Sequence, residues 1–148
     1  MKMEQLVEIA YEAREMSYAP YSQFKVGAAL LAKSGKIYKG CNIENAAYTP
    51  TNCAERTAFF KAISEGQKDF VAIAIVGHKS GTEVGKGNYC APCAVCRQVM
   101  AEFCDLKSFK VIPYLPEFFL HSNLPNLPRT LHYILRRQFQ LFCRQGLM

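Results

Sequence analysis

Residues 51–60 read TNCAERTAFF, and residues 90–99 read CAPCAVCRQV. Each stretch places cysteine ahead of an apolar run with helical spacing. The first stretch also puts Glu55 two residues after Cys53 and Arg56 directly after that carboxylate. Thiolates are favoured at helix starts, where the helix dipole and the free N–H groups are positive. The sequence therefore predicts two helices whose starts present cysteines, one of them beside an acid and an arginine.

Helical and strand patterns alternate on both sides of these two stretches. Thr51 or Asn52 is a candidate N-cap for the first helix, and Gly66 is a natural terminator. Strands separated by helices of this length predict a layered α/β sheet, with a hairpin first and parallel crossovers after it. The predicted helices cover residues 3–16, 53–65 and 92–104, the strands cover 24–32, 37–43, 70–76 and 109–112, and residues 77–89 form a loop.

Length and cysteine usage restrict the class of protein. The chain has 148 residues, half of them hydrophobic, which predicts one domain with a real core. No apolar run approaches the ~20 residues of a membrane helix, and the N-terminus lacks the pattern of a secretion signal. Seven cysteines, three of them within seven residues, indicate metal binding or catalysis rather than a disulfide framework. We therefore expect a cytoplasmic protein with no membrane span.

The net charge of +6 is unevenly distributed. Residues 1–111 hold 14 basic and 11 acidic residues, whereas residues 112–148 hold four arginines against Glu117. A nucleic-acid binder more often has a dense basic face interleaved with aromatic residues. The charge pattern therefore disfavours a nucleic-acid partner.

The character of the chain changes after Ile112. Prolines fall at positions 113, 116, 125 and 128, and residues 129–146 (RTLHYILRRQFQLFCRQG) have helical spacing. We predict a catalytic domain over residues 1–112 and a Pro-rich, basic tail over 113–148, with a helix at 130–145. Either a shifted reading frame or a genuine elaboration of the protein would account for this change in composition.

The cysteine spacing is suited to zinc. Cys93 and Cys96 lie three residues apart at a helix start, so their sulfurs point the same way, and Cys53 can supply a third ligand. Three ligands leave a fourth position for water, whose pKa zinc lowers toward ~7. Glu55 can then move the proton, and Arg56 can offset the charge of the thiolates.

Other interpretations of the cysteines stay open at this point. A Cys-x-x-Cys pair is often a structural zinc knuckle or a redox pair. Cys90, Cys93 and Cys96 together resemble an iron–sulfur run, and Cys90 could close a four-cysteine zinc site. Those interpretations give Glu55 and Arg56 no role, so the combined pattern favours catalytic zinc. Cys41, Cys90, Cys104 and Cys143 are expected to be unliganded, and His78, His121 and His132 to face solvent.

From about Met3 to Val111 the sequence resembles the small homotetrameric cytidine deaminases. The resemblance rests on PYSQFKVGAAL at 20–30, GCNIENAAY at 40–48, CAERTAFFKAISEG at 53–66 and PCAVCRQVM at 92–100. It implies a three-layer α-β-α sandwich with a mixed sheet, and a homotetramer. Zinc deaminases share a Pro-Cys-x-x-Cys signature and a glutamate that is not a ligand. Ala94, where the family usually has glycine, and the tail depart from the pattern, and we expect the final edge strand to be missing or replaced.

The resemblance also implies a role for each site residue. Cys53, Cys93 and Cys96 would bind Zn²⁺, Glu55 would be the general acid/base, and Arg56 would compensate charge. The implied substrate contacts are Phe24 on the base, Asn42 and Glu44 on the ribose hydroxyls, the Ala54 backbone on the pyrimidine, and Ala46 and Tyr48 in a neighbouring subunit's pocket.

The function implied is hydrolytic deamination of cytidine and deoxycytidine to uridine and deoxyuridine in pyrimidine salvage. Two alternatives are deamination of cytosine in single-stranded nucleic acid, and an inactive structural zinc module if the tail abolishes assembly.

Overall fold

Three helices and four strands form the part of the chain that the computed structural model describes, residues 3–82 and 90–113. The predicted helix at 130–145, most of the tail and most of the predicted loop at 77–89 lie outside these residues. In chain order the elements are α1 (Met3–Glu15), β1 (Phe24–Ala32), β2 (Ile37–Cys41), α2 (Ala54–Ser64), β3 (Phe70–Lys79), α3 (Ala94–Phe103) and β4 (Lys110–Pro113).

The four strands make one mixed sheet in the order β2-β1-β3-β4. β1 pairs antiparallel with both neighbours, so that Ala29 lies opposite Lys39 on one side and Ala74 on the other. β3 and β4 are parallel, with Ala74 opposite Ile112. A tight hairpin joins β1 to β2, whereas the parallel pair is connected through α3. The predicted mixed α/β sheet with a leading hairpin is confirmed.

The helices cover both faces of the sheet. Leu6, Val7 and Ala10 of α1 form a buried cluster with Ala29, Ala72, Ala74 and Val76 of the sheet. Leu30, Ile73 and Ile75, which alternate with those strand residues and are fully buried, point to the opposite face. Two glycines let the helices approach closely: a Cβ at Gly27 would strike the α1 backbone, and one at Gly40 would strike α2. The result is three layers.

β2 and β3 differ from their predicted ends, and in β3 pairing with β1 overrides local composition. β3 extends through Gly77, His78 and Lys79, three residues that were predicted to be loop, because Phe24–Val26 supply their partners. β2 stops at Cys41, and Ile43 instead forms isolated bridges to Tyr18 and Asn52.

His78 was predicted to face solvent, and that prediction is wrong. Its position in β3 leaves it only 3% exposed. The buried guanidinium of Arg14 lies against its ring, with Nη2 3.0 Å from His78 Nδ1.

The ends of α2 combine one wrong prediction with one confirmed one. Neither Thr51 nor Asn52 caps the helix, because Cys53 is the N-cap residue and the Asn52 amide donates to Thr57 Oγ1 instead. Gly66 does terminate the helix, with a left-handed φ of 83° and its N–H donating to Ile63 O. Within residues 3–82 and 90–113, no helix has the length and apolar character needed to cross a bilayer.

Candidate active site

Three thiols converge where α2 and α3 begin. Cys53 and Cys93 are the N-cap residues of the two helices, and their Sγ atoms lie 3.8 Å apart. Cys96 follows in the first turn of α3, where its backbone N–H donates to Cys93 Sγ at 3.4 Å. All three sulfur atoms lie within 4.8 Å of one another. The two predicted helix starts therefore do bring the predicted cysteines together.

The spacing of these sulfurs fits a tetrahedral zinc ion. A Zn–S bond of about 2.3 Å places two sulfur ligands roughly 3.8 Å apart across a tetrahedron. The separation of Cys53 from Cys93 agrees with that value. Among the residues with described positions, the group of potential metal ligands contains Cys53, Cys93 and Cys96 but not Cys90. Three soft donors with one corner left open suit a catalytic rather than a closed structural zinc site.

The thiols of Cys53 and Cys96 differ in how readily they lose a proton. The pKa of Cys53 is lowered to about 5, first because the Cys96 thiol donates a hydrogen bond to it and then because Arg56 lies beside it. The pKa of Cys96 is raised by the same hydrogen bond and by burial. Cys53 is therefore more ready than Cys96 to be a thiolate, and a thiolate is the form that binds metal.

The positively charged side chain of Arg56 lies next to the Cys53 sulfur. It lies three residues after Cys53, on the same side of the first turn of α2. Its Nη2 donates to the backbone O of Thr51 at 3.2 Å and to Cys53 Sγ at 3.8 Å. The hydrogen bond to Thr51 fixes the guanidinium in place, so its charge stays next to the sulfur.

Glu55 is a buried acid in the first turn of α2, only 5% exposed. Its pKa is raised to about 7, first by burial and then by the negative charge of Cys53. A carboxyl group with such a pKa can both accept and release a proton near neutral pH. These properties suit a group that shuttles protons beside a metal.

The comparison with protein families agrees with this geometry. The family model described as the cytidine and deoxycytidylate deaminase zinc-binding region matches residues 1–112. The chain belongs to this deaminase family. A cytidine deaminase of Sporosarcina psychrophila is 55% identical over 105 residues, which cover 71% of this chain and 72% of the relative.

Solved deaminase structures resemble the chain as well. The crystal structure of cytidine deaminase from Burkholderia pseudomallei is 51% identical, with a TM-score of 0.62, and the match covers 70% of this chain and 77% of that one. The structure of cytidine deaminase from Mycobacterium tuberculosis is 31% identical, with a TM-score of 0.66, over 86% of this chain and 99% of that one. The fold expected of a deaminase is thus confirmed.

Asn42 lies just after β2 and fastens the start of β1. Its Oδ1 accepts from Val26 N at 2.8 Å, and its Nδ2 donates to Phe24 O at 2.8 Å. An amide has a second lone pair and a second N–H, so a sugar hydroxyl could still bind. The contact with ribose stays a prediction, and the contact with β1 is an additional role.

Glu44 turns its carboxylate toward the loop before β1. Its Oε2 accepts from the backbone N–H groups of Tyr21, at 2.9 Å, and Ser22, at 3.2 Å. Its pKa is lowered, first by a hydrogen bond to the Ser22 side chain. A carboxylate accepts about four hydrogen bonds, so this arrangement leaves capacity for a ligand.

The other predicted substrate contacts lie in different environments. Phe24 is half-buried at the start of β1, directly after Gln23, whose left-handed φ of 56° turns the chain into the strand. Ala54 is fully buried, whereas Tyr48 is 87% exposed. The exposed neighbour Ala46 lies on the same loop as Tyr48.

One feature near the site was not predicted from the sequence. A Cβ built at Gly77 would contact both Phe24 and Cys90, which places those two side chains together. The available signal was the glycine itself, since glycine inside an apolar strand often marks a close approach. Ala94, named above as a departure from the resembled pattern, is exposed at the first position of α3, so its methyl group is accommodated.

Proposed function

We propose that this protein catalyses the hydrolytic deamination of cytidine and deoxycytidine, producing uridine or deoxyuridine and ammonia. The single observation that carries the proposal is the position of buried Glu55 in the first turn of α2, where three thiols converge. Membership of the deaminase family and relatives named cytidine deaminase at 55% and 54% identity support the same activity. The reaction belongs to pyrimidine salvage.

Cys53, Cys93 and Cys96 are the residues that would hold zinc. Zinc bound there supplies Lewis-acid chemistry that makes water a strong nucleophile near neutral pH. Arg56 and the starts of α2 and α3 keep the three sulfurs in the form that binds the metal, because each places positive charge beside them.

Glu55 carries the proton transfers of the reaction. It takes one proton from the attacking water and passes it to N3 of the pyrimidine, then takes the remaining proton from the new hydroxyl on C4 and passes it to the departing amino group. The new bond joins the water oxygen to C4, and the bond from C4 to the amino nitrogen breaks, releasing ammonia. A pKa of about 7 lets the same carboxyl group act first as base and then as acid.

Substrate orientation depends on groups around the start of β1. The ring of Phe24 packs on the pyrimidine, and the backbone of Ala54 contacts its edge. Asn42 and Glu44 hydrogen-bond the ribose hydroxyls. A small polar sugar needs a few fixed partners of this kind to be oriented.

The active unit is a homotetramer in which Ala46 and Tyr48 complete the pocket of a neighbouring subunit. The exposure of both residues supports this assembly, since an 87% exposed tyrosine offers a large contact surface. Size-exclusion chromatography with light scattering tests it, and a monomer as the active species would refute it. The cytoplasmic location stays a prediction from the cysteine pattern.

The decisive experiment is a direct assay. Purified protein with measured zinc content is mixed with cytidine or deoxycytidine, and the loss of ultraviolet absorbance is followed. A single-stranded oligonucleotide containing cytosine is the parallel substrate. Turnover of the free nucleosides alone supports the proposal. Turnover of the oligonucleotide alone would favour the nucleic-acid deaminase, and zinc without any turnover would favour the structural module.

A further inference from the structure

Three residues from separate parts of the chain meet beside the candidate active site. Phe24 begins β1, Gly77 lies in β3, and Cys90 comes shortly before α3. A Cβ built on Gly77 would lie 2.8 Å from Cys90 Sγ, 3.0 Å from Phe24 Cε1 and 3.3 Å from Cys90 Cβ. The space above Gly77 is therefore filled by the thiol of Cys90 and the ring of Phe24 together.

Position 77 needs glycine because a side chain there has no room, and not because of its backbone conformation. Gly77 is paired with Val26 in the ladder between β1 and β3. The glycines with left-handed φ values among the described residues are Gly35, Gly66 and Gly81, and Gly77 is not one of them. Alanine is ordinarily more favourable than glycine inside a strand. The absence of a side chain at position 77 is thus useful because it leaves room for the thiol and the ring.

Gly77 points toward the face of the sheet that carries the metal-binding thiols. Ala72, Ala74 and Val76 contact α1, so the alternate position 77 faces the other way, toward α2. Cys90 also lies near Glu55. The pKa of the Cys90 thiol is raised to about 12, first by burial and then by the charge of Glu55. Cys90 is accordingly a neutral, space-filling thiol beside the acid.

We propose that Cys90 is a positioning residue for substrate, which holds the ring of Phe24 in place by filling the slot above Gly77. This inference rests on the proposed function, because it assumes that the Phe24 ring packs on the pyrimidine. Without the sulfur, the ring has a void on one side and loses its fixed orientation. Aromatic rings contribute to ligand binding through defined geometry, so a loosened ring binds the base less well.

The test is a double-mutant cycle made from Cys90→Ala and Gly77→Ala. Cys90→Ala removes the sulfur and should raise KM for cytidine on the order of threefold to tenfold, with kcat and zinc content little changed. Gly77→Ala inserts a methyl group against the sulfur and should raise KM by a similar or larger factor. In the double variant the methyl group takes much of the volume of the missing sulfur, although it still lies 3.0 Å from Phe24 Cε1, so KM should be lower than in either single variant.

A matched control comes from the other end of α3. Cys104 is also a buried thiol, and it follows the last residue of that helix, roughly 16 Å from Cys93 along the axis. Cys104→Ala makes the same chemical change away from Phe24 and should leave KM unchanged. The same cycle is measured for uridine binding by calorimetry, which requires no turnover.

Every result of this cycle either supports or overturns the role of Cys90. An unchanged KM and uridine affinity in Cys90→Ala, or effects that simply multiply in the double variant, would overturn the proposal. If Gly77→Ala does not fold, Cys90→Ala and the double variant still distinguish these results. If uridine binding shows the expected coupling between positions 77 and 90 but the wild-type protein does not turn over cytidine, the proposed function is refuted and the role of Cys90 stands. Protein that binds no pyrimidine nucleoside would remove both.

Discussion

The thiols of Cys53 and Cys93 lie 3.8 Å apart, although 40 residues separate them in the chain. Each is the N-cap residue of a helix, and α2 and α3 contact one another. Positive potential from two helix starts therefore falls on the same small volume. By bringing the N-termini of α2 and α3 together, the fold stabilises thiolates at this position. This accounts for the cysteine at the start of each helix.

Replacing Cys93 with alanine should abolish metal binding. The variant leaves two of the three sulfurs, too few for a tight zinc site. We expect zinc content to fall from about one ion per chain to near zero, with loss of activity. Atomic absorption on the dialysed protein measures this directly.

Cys41→Ala is the control for that variant. Cys41 is a partly exposed thiol on β2 that donates to Met16 O, away from the three clustered sulfurs. Its removal should leave zinc content at the wild-type level. Equal zinc content in Cys93→Ala and Cys41→Ala would show that Cys93 is not a ligand.

Glu55→Gln should separate metal binding from proton transfer. The amide keeps the size of the side chain but cannot accept and return a proton. We expect normal zinc content with kcat reduced by at least ~100-fold, the usual range for losing a general acid/base. Steady-state assays with cytidine supply kcat, and a rate close to wild type would eliminate the proton-shuttle role.

Arg56 should influence metal affinity through charge and through geometry. Arg56→Gln removes the positive charge next to Cys53, whereas Arg56→Lys keeps the charge but loses the planar group that also bonds Thr51 O. Zinc affinity should fall ~10–100-fold in the glutamine variant and less in the lysine variant. Competition with a chelator gives both affinities, and equal affinity in all three proteins would contradict the charge argument.

The parts of the fold that the sequence predicted well are those set by local pattern. The apolar run from Phe24 to Ala32, the hairpin after it and the stop at Gly66 each depend on neighbouring residues, and all three appear as predicted. The shared direction of the Cys93 and Cys96 sulfurs was also predictable, because a spacing of three at a helix start fixes it, whereas Cys53 was added to them on the strength of zinc chemistry.

The parts that the sequence did not predict depend on partners distant in the chain. β3 is longer than its apolar run because β1 offers pairing partners to His78 and Lys79. His78 is buried because Arg14 of α1 lies against it. The slot above Gly77 needs three segments to meet. No local pattern contains this information.

Asn42→Ala should reduce stability as well as substrate affinity. The amide satisfies the N–H of Val26 and the carbonyl of Phe24, so truncation leaves two partly buried backbone groups unpaired. We expect a loss of about 1–3 kcal/mol in the free energy of unfolding. Glu44→Ala is the comparison, because the hydrogen bonds that its carboxylate accepts from Tyr21 and Ser22 are exposed to solvent, so their loss should reduce stability less. Urea unfolding of both variants measures the difference, and equal losses would refute the role of Asn42 in fastening β1.

His78 should make the protein less stable in acid. Its pKa is lowered, first by burial and then by the charge of Arg14, while the carbonyl of Lys79 partly opposes this. The unfolded chain, with a histidine pKa near ~6.5, therefore binds more protons than the folded chain, and stability falls as the pH drops below that value. His78→Gln cannot ionise, so its stability should be lower at pH 8 but should decline less toward pH 5. The neighbouring charged group Glu15, which is paired with Arg14, is common to both proteins. Melting temperatures across this range should converge as the pH falls, and parallel curves would show that His78 does not titrate.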